Sequence, residues 1–447
     1  MNGKSFHIIT FGCQMNANDS WWLASSLAER GFTRTGLEDA RVVVLNTCSV
    51  REKPERKVAA ALAEVRRVTG GDPGVLVVVA GCVAQQMGEK LFSPESQVRL
   101  LVGSDGLARA PEAIERLLAE PQERCCLLDF SVGYEERKAV RAAAGPVAQV
   151  NIIQGCDNFC AYCIVPFTRG RQKSRRAEDI LEECRARLDG GAREILLLGQ
   201  NVNAYNRDRQ GDGTSFASLL ERVATLPGLV RLRYVTAHPR DMRPEDVAAF
   251  GNVPALCPRL HLPLQSGSDN VLKRMGRKYD SRTFLDLARR LREARPDMAL
   301  STDIIAGFPG ESEKDFEDTL AIMETCEFVS SFSFCYSDRP GTRAALMPDK
   351  TAPTVSLERL SRLQALQDAL TRRLLADRVG RKTDILIEGR SRRQPPGKTS
   401  WRGRDPYGVV VNLVLEGQGD YTGKMAPVLI TRAKRHSLAA EPAGDMW

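Results

Sequence analysis

The chain has 447 residues, enough for two or three ordinary domains of about 150 residues each. Apolar residues make up 43% and charged residues 27%, the composition of a globular chain, and 64 basic against 56 acidic side chains leave a net charge of +8 that admits an anionic partner. The longest apolar runs, such as residues 75–80, have strand length and fall short of the roughly 20 residues of a membrane helix, so no spanning segment and no membrane partner are expected.

The opening segment MNGKSFHIITFGCQMN carries neither an apolar signal core nor a small-residue cleavage site. A cytoplasmic, reducing location is expected, where cysteines serve as thiols or metal ligands more often than as disulfides. Residues 4–11, 41–45 and 75–79 are rich in β-branched side chains and are predicted as strands. Helical stretches at 19–29 and 51–68 separate them, stopped by Gly31 and by Gly70-Gly71. This alternation predicts an open parallel sheet in an α/β domain spanning 4–140. Cys13, Cys48 and Cys82 follow the three strands in turn, in FGC, NTC and AGC, at intervals of 35 and 34 residues. Reactive groups of such a sheet gather beyond the carboxyl ends of its strands, so the three thiols are expected to converge at one edge. Gly12 and Gly81 permit tight turns or the close approach of a bulky group. Asn16, Asn46, Thr47 and Gln85 are candidates for donating to sulfur or contacting substrate. Cys125 and Cys126, beside Leu127 and Leu128, read as the core of a later strand.

A second domain is predicted over 142–375. A strand at 149–154 is followed by GCDNFCAYCIVPFTRGR, in which Cys156, Cys160 and Cys163 are spaced C-x3-C-x2-C. Gly155, Asp157, Asn158 and Pro166 favour a loop there. A structural zinc site needs four protein ligands, and the nearest further thiol, Cys184, falls in an amphipathic helix at 178–188 and reads as core. Iron–sulfur clusters use thiolate runs of this kind, and three thiolates leave one iron open to a small molecule. Strands recur at Glu194–Leu198, 232–236, 259–262, 300–305 and 328–334, with helices at 216–226, 279–294 and Glu313–Cys326, giving six βα-like repeats of a partial or full barrel. Polar groups stand just past these strands, where barrels place their chemistry: Gln200 to Asn203, His238, Gln265 to Ser268, Asp303, Gly307 to Glu311, and Tyr336-Ser337. No GxGxxG follows a strand, and GxxxxGK, HExxH and GxSxG are absent from the sequence. With only His7, His238, His261 and His436 in the chain, histidine acid–base chemistry has a thin supply, whereas radical or metal chemistry depends less on such bases.

Residues 167–176, FTRGRQKSRR, hold five basic residues and no acidic one directly after the cysteine loop, and are expected to contact phosphates. A long helix at 357–375 leads into a terminal domain, 376–439, whose strands at 382–388, 407–415 and 428–431 are consistent with a small barrel. Residues 390–404 contain six basic residues, no acidic one, and Trp401, a mixture suited to gripping phosphate and stacking on a loop base. The stretch after Thr431 is expected to fray.

A C-x3-C-x2-C run between a strand and further βα repeats resembles the radical S-adenosylmethionine superfamily. The phrases FGCQMNANDS, NTCSVREK, GCVAQ, GCDNFCAYCIVPFTRGR, LLGQNVNAY and HLPLQSGS resemble its methylthiotransferase family over nearly the whole chain, and the last domain resembles a TRAM domain, an RNA-binding barrel. The resemblance implies an α/β fold with an N-terminal open parallel sheet, a central partial (β/α)6 barrel and a C-terminal small antiparallel β-barrel. It implies that Cys156, Cys160 and Cys163 ligate a 4Fe-4S cluster whose fourth iron chelates S-adenosylmethionine, cleaved there to methionine and a 5'-deoxyadenosyl radical. Cys13, Cys48 and Cys82 would hold a second 4Fe-4S cluster bearing the sulfur to be transferred. The implied reaction is the radical conversion of N6-dimethylallyladenosine at position 37 of tRNA to its 2-methylthio derivative, using two S-adenosylmethionine molecules. The implied partners are the tRNA anticodon stem-loop, an electron donor such as flavodoxin or ferredoxin, and a sulfur donor or cluster-repair protein, with the enzyme a monomer. The alternative within the family is action on threonylcarbamoyladenosine of tRNA or on an aspartate of a small-subunit ribosomal protein; a different class is an RNA-binding protein with structural zinc. Glu194 stands where the superfamily has its GGE-like segment and is expected to contact the cofactor, although Ala192 and Arg193 depart from that pattern. Gln200, Gln265, Ser266 and Asp303 are expected in the cofactor pocket, and Phe159 or Tyr162 against the cofactor.

Overall fold

The structure is a computed structural model that describes residues 4–49, 54–93, 96–137, 145–208, 213–392, 394, 398–415 and 419–447. Its first sheet is built from valine-rich runs. Six parallel strands lie in the order Thr33–Arg34, Ser5–Thr10, Val42–Thr47, Leu76–Gly81, Val98–Val102 and Cys125–Leu127. Alternate residues face opposite ways. Val42, Val44, Leu76 and Val78 pack with Leu23 and Leu27 of helix Gln14–Glu29, while Val43, Leu45, Val77 and Val79 pack with Val58 and Val65 of helix Pro54–Val68. Both faces are covered, as an all-parallel sheet requires. Residues 51–53 of the second predicted helix lie outside the described residues. The last strand corrects one expectation: Cys125–Leu127 forms the sheet edge, so Cys125 is only half-buried and Cys126 is exposed.

The central domain carries two three-stranded parallel sheets, Val147–Asn151 with Glu194–Leu198 and Arg231–Tyr234, and Arg259–His261 with Ala299–Ala306 and Ser330–Cys335. A bridge between Leu232 and Leu256, with Cys257 N–H donating to Leu232 O at 2.9 Å, joins them into a partial (β/α)6 barrel. Leu260, Leu300 and Ile304 point to the helices and share one core with Cys184, as the spacing of helix Ala177–Asp189 anticipates. Arg259, His261, Ser301 and Asp303 take the opposite, concave face.

After helix Pro353–Ala376, five strands close a barrel in the order Lys382–Arg390, Thr399–Arg404, Val410–Leu415, Ser437–Pro442, Met425–Ala433. All pairings are antiparallel except that of Val410–Leu415 with Ser437–Pro442. The tail expected to fray therefore closes the barrel, with Leu438 fully buried and Trp447 exchanging backbone hydrogen bonds with Met425 at 2.8 and 3.1 Å. Trp401 is 1% exposed and packs edge-on against Tyr421 at 5.3 Å. It is core, which corrects the expectation that it stacks on RNA. The barrel docks at the beginnings of the central strands: Arg231, Arg233 and Arg259 donate to the carbonyls of Arg404, Asp405 and Tyr407 at 2.6–2.7 Å. Among the described residues, no helix is long and apolar enough to cross a membrane.

Candidate cysteine centres

The first trio forms because three neighbouring strands end level. Thr10 is in register with Asn46, and Thr47 with Gly81, so the turns that follow meet at one edge. Cys13 caps helix Gln14–Glu29, Cys82 opens helix Cys82–Met87, and Cys48 lies buried between them. Gly12 has φ +99°, and a Cβ there would stand 2.1 Å from Cys48 Cβ and 2.8 Å from its Sγ. The neighbouring polar residues hold these turns. Asn16 Nδ2 donates to Phe11 O and Thr47 O at 3.0 and 2.8 Å, Asn46 Nδ2 to Asn16 O at 2.9 Å, and Thr47 Oγ1 to Ala80 O at 2.6 Å. Gln85 is likewise engaged by the Leu128 carbonyl, 2.7 Å away. The Cys48 hydrogen bond, opposed by burial and aided by the Arg169 guanidinium, pulls the Cys13 thiol down to about 6.

The second trio sits on a closed excursion from the first barrel strand. Ile153–Gln154 pairs antiparallel with Lys173–Ser174, and Cys156, Cys160 and Cys163 occupy the loop between them. Asn158 Nδ2 and Asn201 Nδ2 both donate to Asp241 Oδ2, at 3.0 and 2.6 Å. Burial pushes Cys156 up to about 11 and Cys163 up to about 12, so both thiols need a bound cation to ionise near neutral pH. Arg277 Nη1 lies 3.5 Å from Cys160 Sγ, while its Nη2 donates to Pro263 O at 2.9 Å.

The other expected residues separate by position. Gln200 joins the two centres, its Oε1 accepting from Gly155 N–H at 2.6 Å and its Nε2 turned to Met15 Sδ. Gln265 is buried with φ +70° and keeps its backbone in the ladder with Asp303 O at 2.8 Å. Ser266 is buried, its hydroxyl 3.3 Å from Thr319 Oγ1 and 3.2 Å from the Ser268 amide. Asp303 Oδ2 is 3.1 Å from His261 Nε2, whose Nδ1 is 3.1 Å from Ser301 Oγ. Glu194 is misplaced by the sequence pattern. It begins its strand, at the end opposite the cysteine loop, and is buried 2.8 Å from Arg233 Nε. The expected cofactor contact is corrected accordingly. Phe159 is exposed with φ +50° beneath the Arg171 guanidinium, and Tyr162 packs edge-on to Phe308.

The basic run after the loop also differs from expectation. Arg169 reaches the first trio, Lys173 pairs with Asp105, and Arg175 pairs with Glu136 and Glu183 at 3.0 and 2.6 Å. These three are buried, and Arg171 and Arg176 remain exposed, facing Asp157 at 2.7 Å and Asp179 at 3.8 Å. The run lies at a domain junction, where acids from remote segments consume its charge. Arg277, 117 residues from Cys160, carries no local signal at all.

Both trios offer three thiols with a buried arginine beside them, a soft donor set that fits an iron–sulfur cluster. Among the described residues, no three His, Cys, Asp or Glu side chains converge tightly enough to chelate a single ion. A cluster that takes each thiolate on a different iron makes no such demand.

Residues 150–323 match the Radical SAM superfamily, and residues 5–103 match Uncharacterized protein family UPF0004. The chain is 58% identical to the tRNA-2-methylthio-N(6)-dimethylallyladenosine synthase of Nitratidesulfovibrio vulgaris (strain DP4), and 52% identical to that of Oleidesulfovibrio alaskensis, with 100% of both chains covered in each case. Among solved structures it resembles the radical S-adenosylmethionine methyltransferase TsrM from Kitasatospora setae with cobalamin and a [4Fe-4S] cluster bound, with TM-score 0.57, 13% identity, and 77% and 74% of the two chains covered. It also resembles the cobalamin-dependent S-adenosylmethionine radical enzyme OxsB, with TM-score 0.52, 12% identity, and 82% and 56% covered. These two likenesses concern the fold.

Proposed function

Since this chain belongs to the family of tRNA-2-methylthio-N(6)-dimethylallyladenosine synthases, within the radical S-adenosylmethionine superfamily, we propose that it converts N6-dimethylallyladenosine at position 37 of tRNA to the 2-methylthio derivative. Cys156, Cys160 and Cys163 hold the 4Fe-4S cluster that binds S-adenosylmethionine, and Cys13, Cys48 and Cys82 hold a second one. When bound, these groups supply sulfur and the one-electron chemistry needed to replace an aromatic C–H that has no useful acidity near neutral pH.

The chain's own residues shape and screen this site. Gln200 fixes the turn before Cys156 through the Gly155 amide. Asp241 gathers Asn158, Asn201 and Arg207 into one network that holds the loop. Arg277 donates to the sulfur of Cys160 from a buried position, balancing thiolate charge where water cannot. Gln200, Gln265, Ser266 and Asp303, with Phe159 or Tyr162, are the pocket residues of this reading.

The division of labour is 4–140 for the sulfur-bearing cluster, 142–375 for the radical core and 376–439 as a TRAM-like RNA grip. Arg390, Arg392, Lys398 and Arg402 remain exposed on the last part and suit the phosphates of an anticodon stem-loop. The reading places a monomeric enzyme in the cytoplasm, served by a flavodoxin- or ferredoxin-like electron donor and by a protein that renews the sulfur.

The observation that carries this reading is the meeting of both trios at one junction, where helix Cys82–Met87 packs against helix Val165–Thr168 directly behind Cys163. Anaerobic turnover on dimethylallylated and unmodified tRNA, followed by nucleoside mass analysis, tests it. The methylthio product should form from the dimethylallylated tRNA alone. Product from unmodified or threonylcarbamoylated tRNA, or none from a fully loaded enzyme, would overturn it.

A further inference from the structure

Arg169 is anchored in one domain and acts in another. Its backbone N–H donates to Val165 O at 2.8 Å at the end of helix Val165–Thr168, and the preceding carbonyl of Thr168 accepts the Ser104 hydroxyl at 2.9 Å. From there its side chain, 5% exposed, enters the first cysteine trio. The guanidinium donates to Asn16 Oδ1 at 2.9 Å and stands 3.9 Å from Asp19. Asn16 offers an oxygen there of necessity, because both Nδ2 hydrogens are taken by the carbonyls of Phe11 and Thr47. That same oxygen is 3.5 Å from Cys13 Sγ, so Arg169, Asn16 and Cys13 form one network. Asp19 does not use up the arginine's charge. Arg137 holds Asp19 at 2.7 Å, so two guanidiniums face one carboxylate and a positive charge is left for the sulfurs.

We propose that Arg169 is a positioning residue that couples the two centres: tied to the loop of the second trio, it holds Asn16 against Cys13, places a buried positive charge beside the first trio, and raises the reduction potential of the cluster that trio holds. The identity of that cluster rests on the reading above; the contacts of Arg169 do not. A buried cation beside a cluster stabilises negative charge on it and favours the more negative, reduced cluster. Arginine suits the task because its planar fork donates to Asn16 while facing Asp19, whereas lysine supplies a single point charge.

Full-length Arg169→Met and Arg169→Lys are reconstituted anaerobically beside the wild type. For each, iron and sulfide are counted, the midpoint potential of the first-trio cluster is read by EPR-monitored titration, and S-adenosylmethionine cleavage is measured separately from methylthio transfer. Arg169→Met should shift that potential negative and lower transfer about tenfold or more while cleavage persists, the scale typical of losing a group that supports a metal ligand. Arg169→Lys should return the potential toward wild type and restore transfer only in part. An unchanged potential in Arg169→Met, or an Arg169→Lys potential no nearer to wild type, overturns the proposal. If Arg169→Met fails to retain the cluster, retention by Arg169→Lys supports the charge role and equal loss in both overturns it. A wild type loaded with both clusters but inactive on tRNA would refute the reaction assigned above, and the potentials would still judge Arg169.

Discussion

Replacing Gly12 with alanine should empty the first cysteine centre while sparing the second. Gly12 holds φ +99°, a region that costs an L-residue about 1–2 kcal/mol. The new methyl would stand 2.1 Å from Cys48 Cβ, against an ordinary carbon contact of roughly 3.5–4.0 Å. The obstructing atom belongs to the short side chain of a buried residue, so relief requires Cys48 itself to move by more than an ångström. Overpacking of this kind costs about 1–3 kcal/mol, which with the backbone strain makes about 2–5 kcal/mol. Displacement of Cys48 is the less costly outcome, and at 1.4 kcal/mol per factor of ten it corresponds to roughly 30- to 3,000-fold weaker retention of the cluster. Anaerobic reconstitution followed by iron and sulfide assay should show about four irons per chain missing. Cleavage of S-adenosylmethionine should persist and methylthio transfer should stop. A Gly12→Ala protein with full iron content and undiminished transfer would refute the reasoning, because the methyl group would then have found room.

Three further expectations follow from buried side chains. Glu194→Ala leaves the Arg233 guanidinium buried beside Arg231 without its carboxylate and should cost about 3–5 kcal/mol in urea unfolding, with the KM for S-adenosylmethionine unchanged. A KM raised tenfold at unchanged stability would reinstate Glu194 as a cofactor contact. Trp401→Ala should destabilise the terminal barrel by about 3–5 kcal/mol, whereas Trp401→Phe should keep tRNA affinity in filter binding; a folded Trp401→Phe that no longer binds tRNA would show that the indole touches RNA. His238 is held well below its ordinary value of 6.5, by burial first and by the Arg277 and Arg240 charges next. The unfolded chain therefore takes the proton first. Stability from this group is complete above about 6.5 and declines as pH falls below it, by up to about 1.4 kcal/mol per pH unit. His238→Gln should flatten that acid limb in unfolding measured from pH 7 to 5; an identical slope in both proteins would assign the proton elsewhere.

The elements and the six thiols were legible from local pattern. Runs such as RVVVL and VLVVV admit little but a strand buried on both faces, and alternation with helices makes the sheet parallel. Parallel strands in register end together, so FGC, NTC and AGC had to meet. C-x3-C-x2-C is local by construction. What stayed hidden depended on partners distant in the chain. The five cations of FTRGRQKSRR look alike in sequence, yet Asp19, Asp105, Glu136 and Glu183 neutralise or surround three of them from other segments. Glu194 fits a motif by spacing yet opens the strand Glu194–Leu198, and its buried partner, Arg233 of the neighbouring strand, is what the sequence did not announce. Residues 437–442 carry too short an alternation to announce a strand, and they become one between two neighbours that hydrogen-bond them from both sides. Residue type and period determine which segments are strands, helices and ligand loops; the sign and burial of each charge's surroundings are decided only when distant segments pack, since electrostatic and hydrogen-bonding partners are chosen by proximity in space.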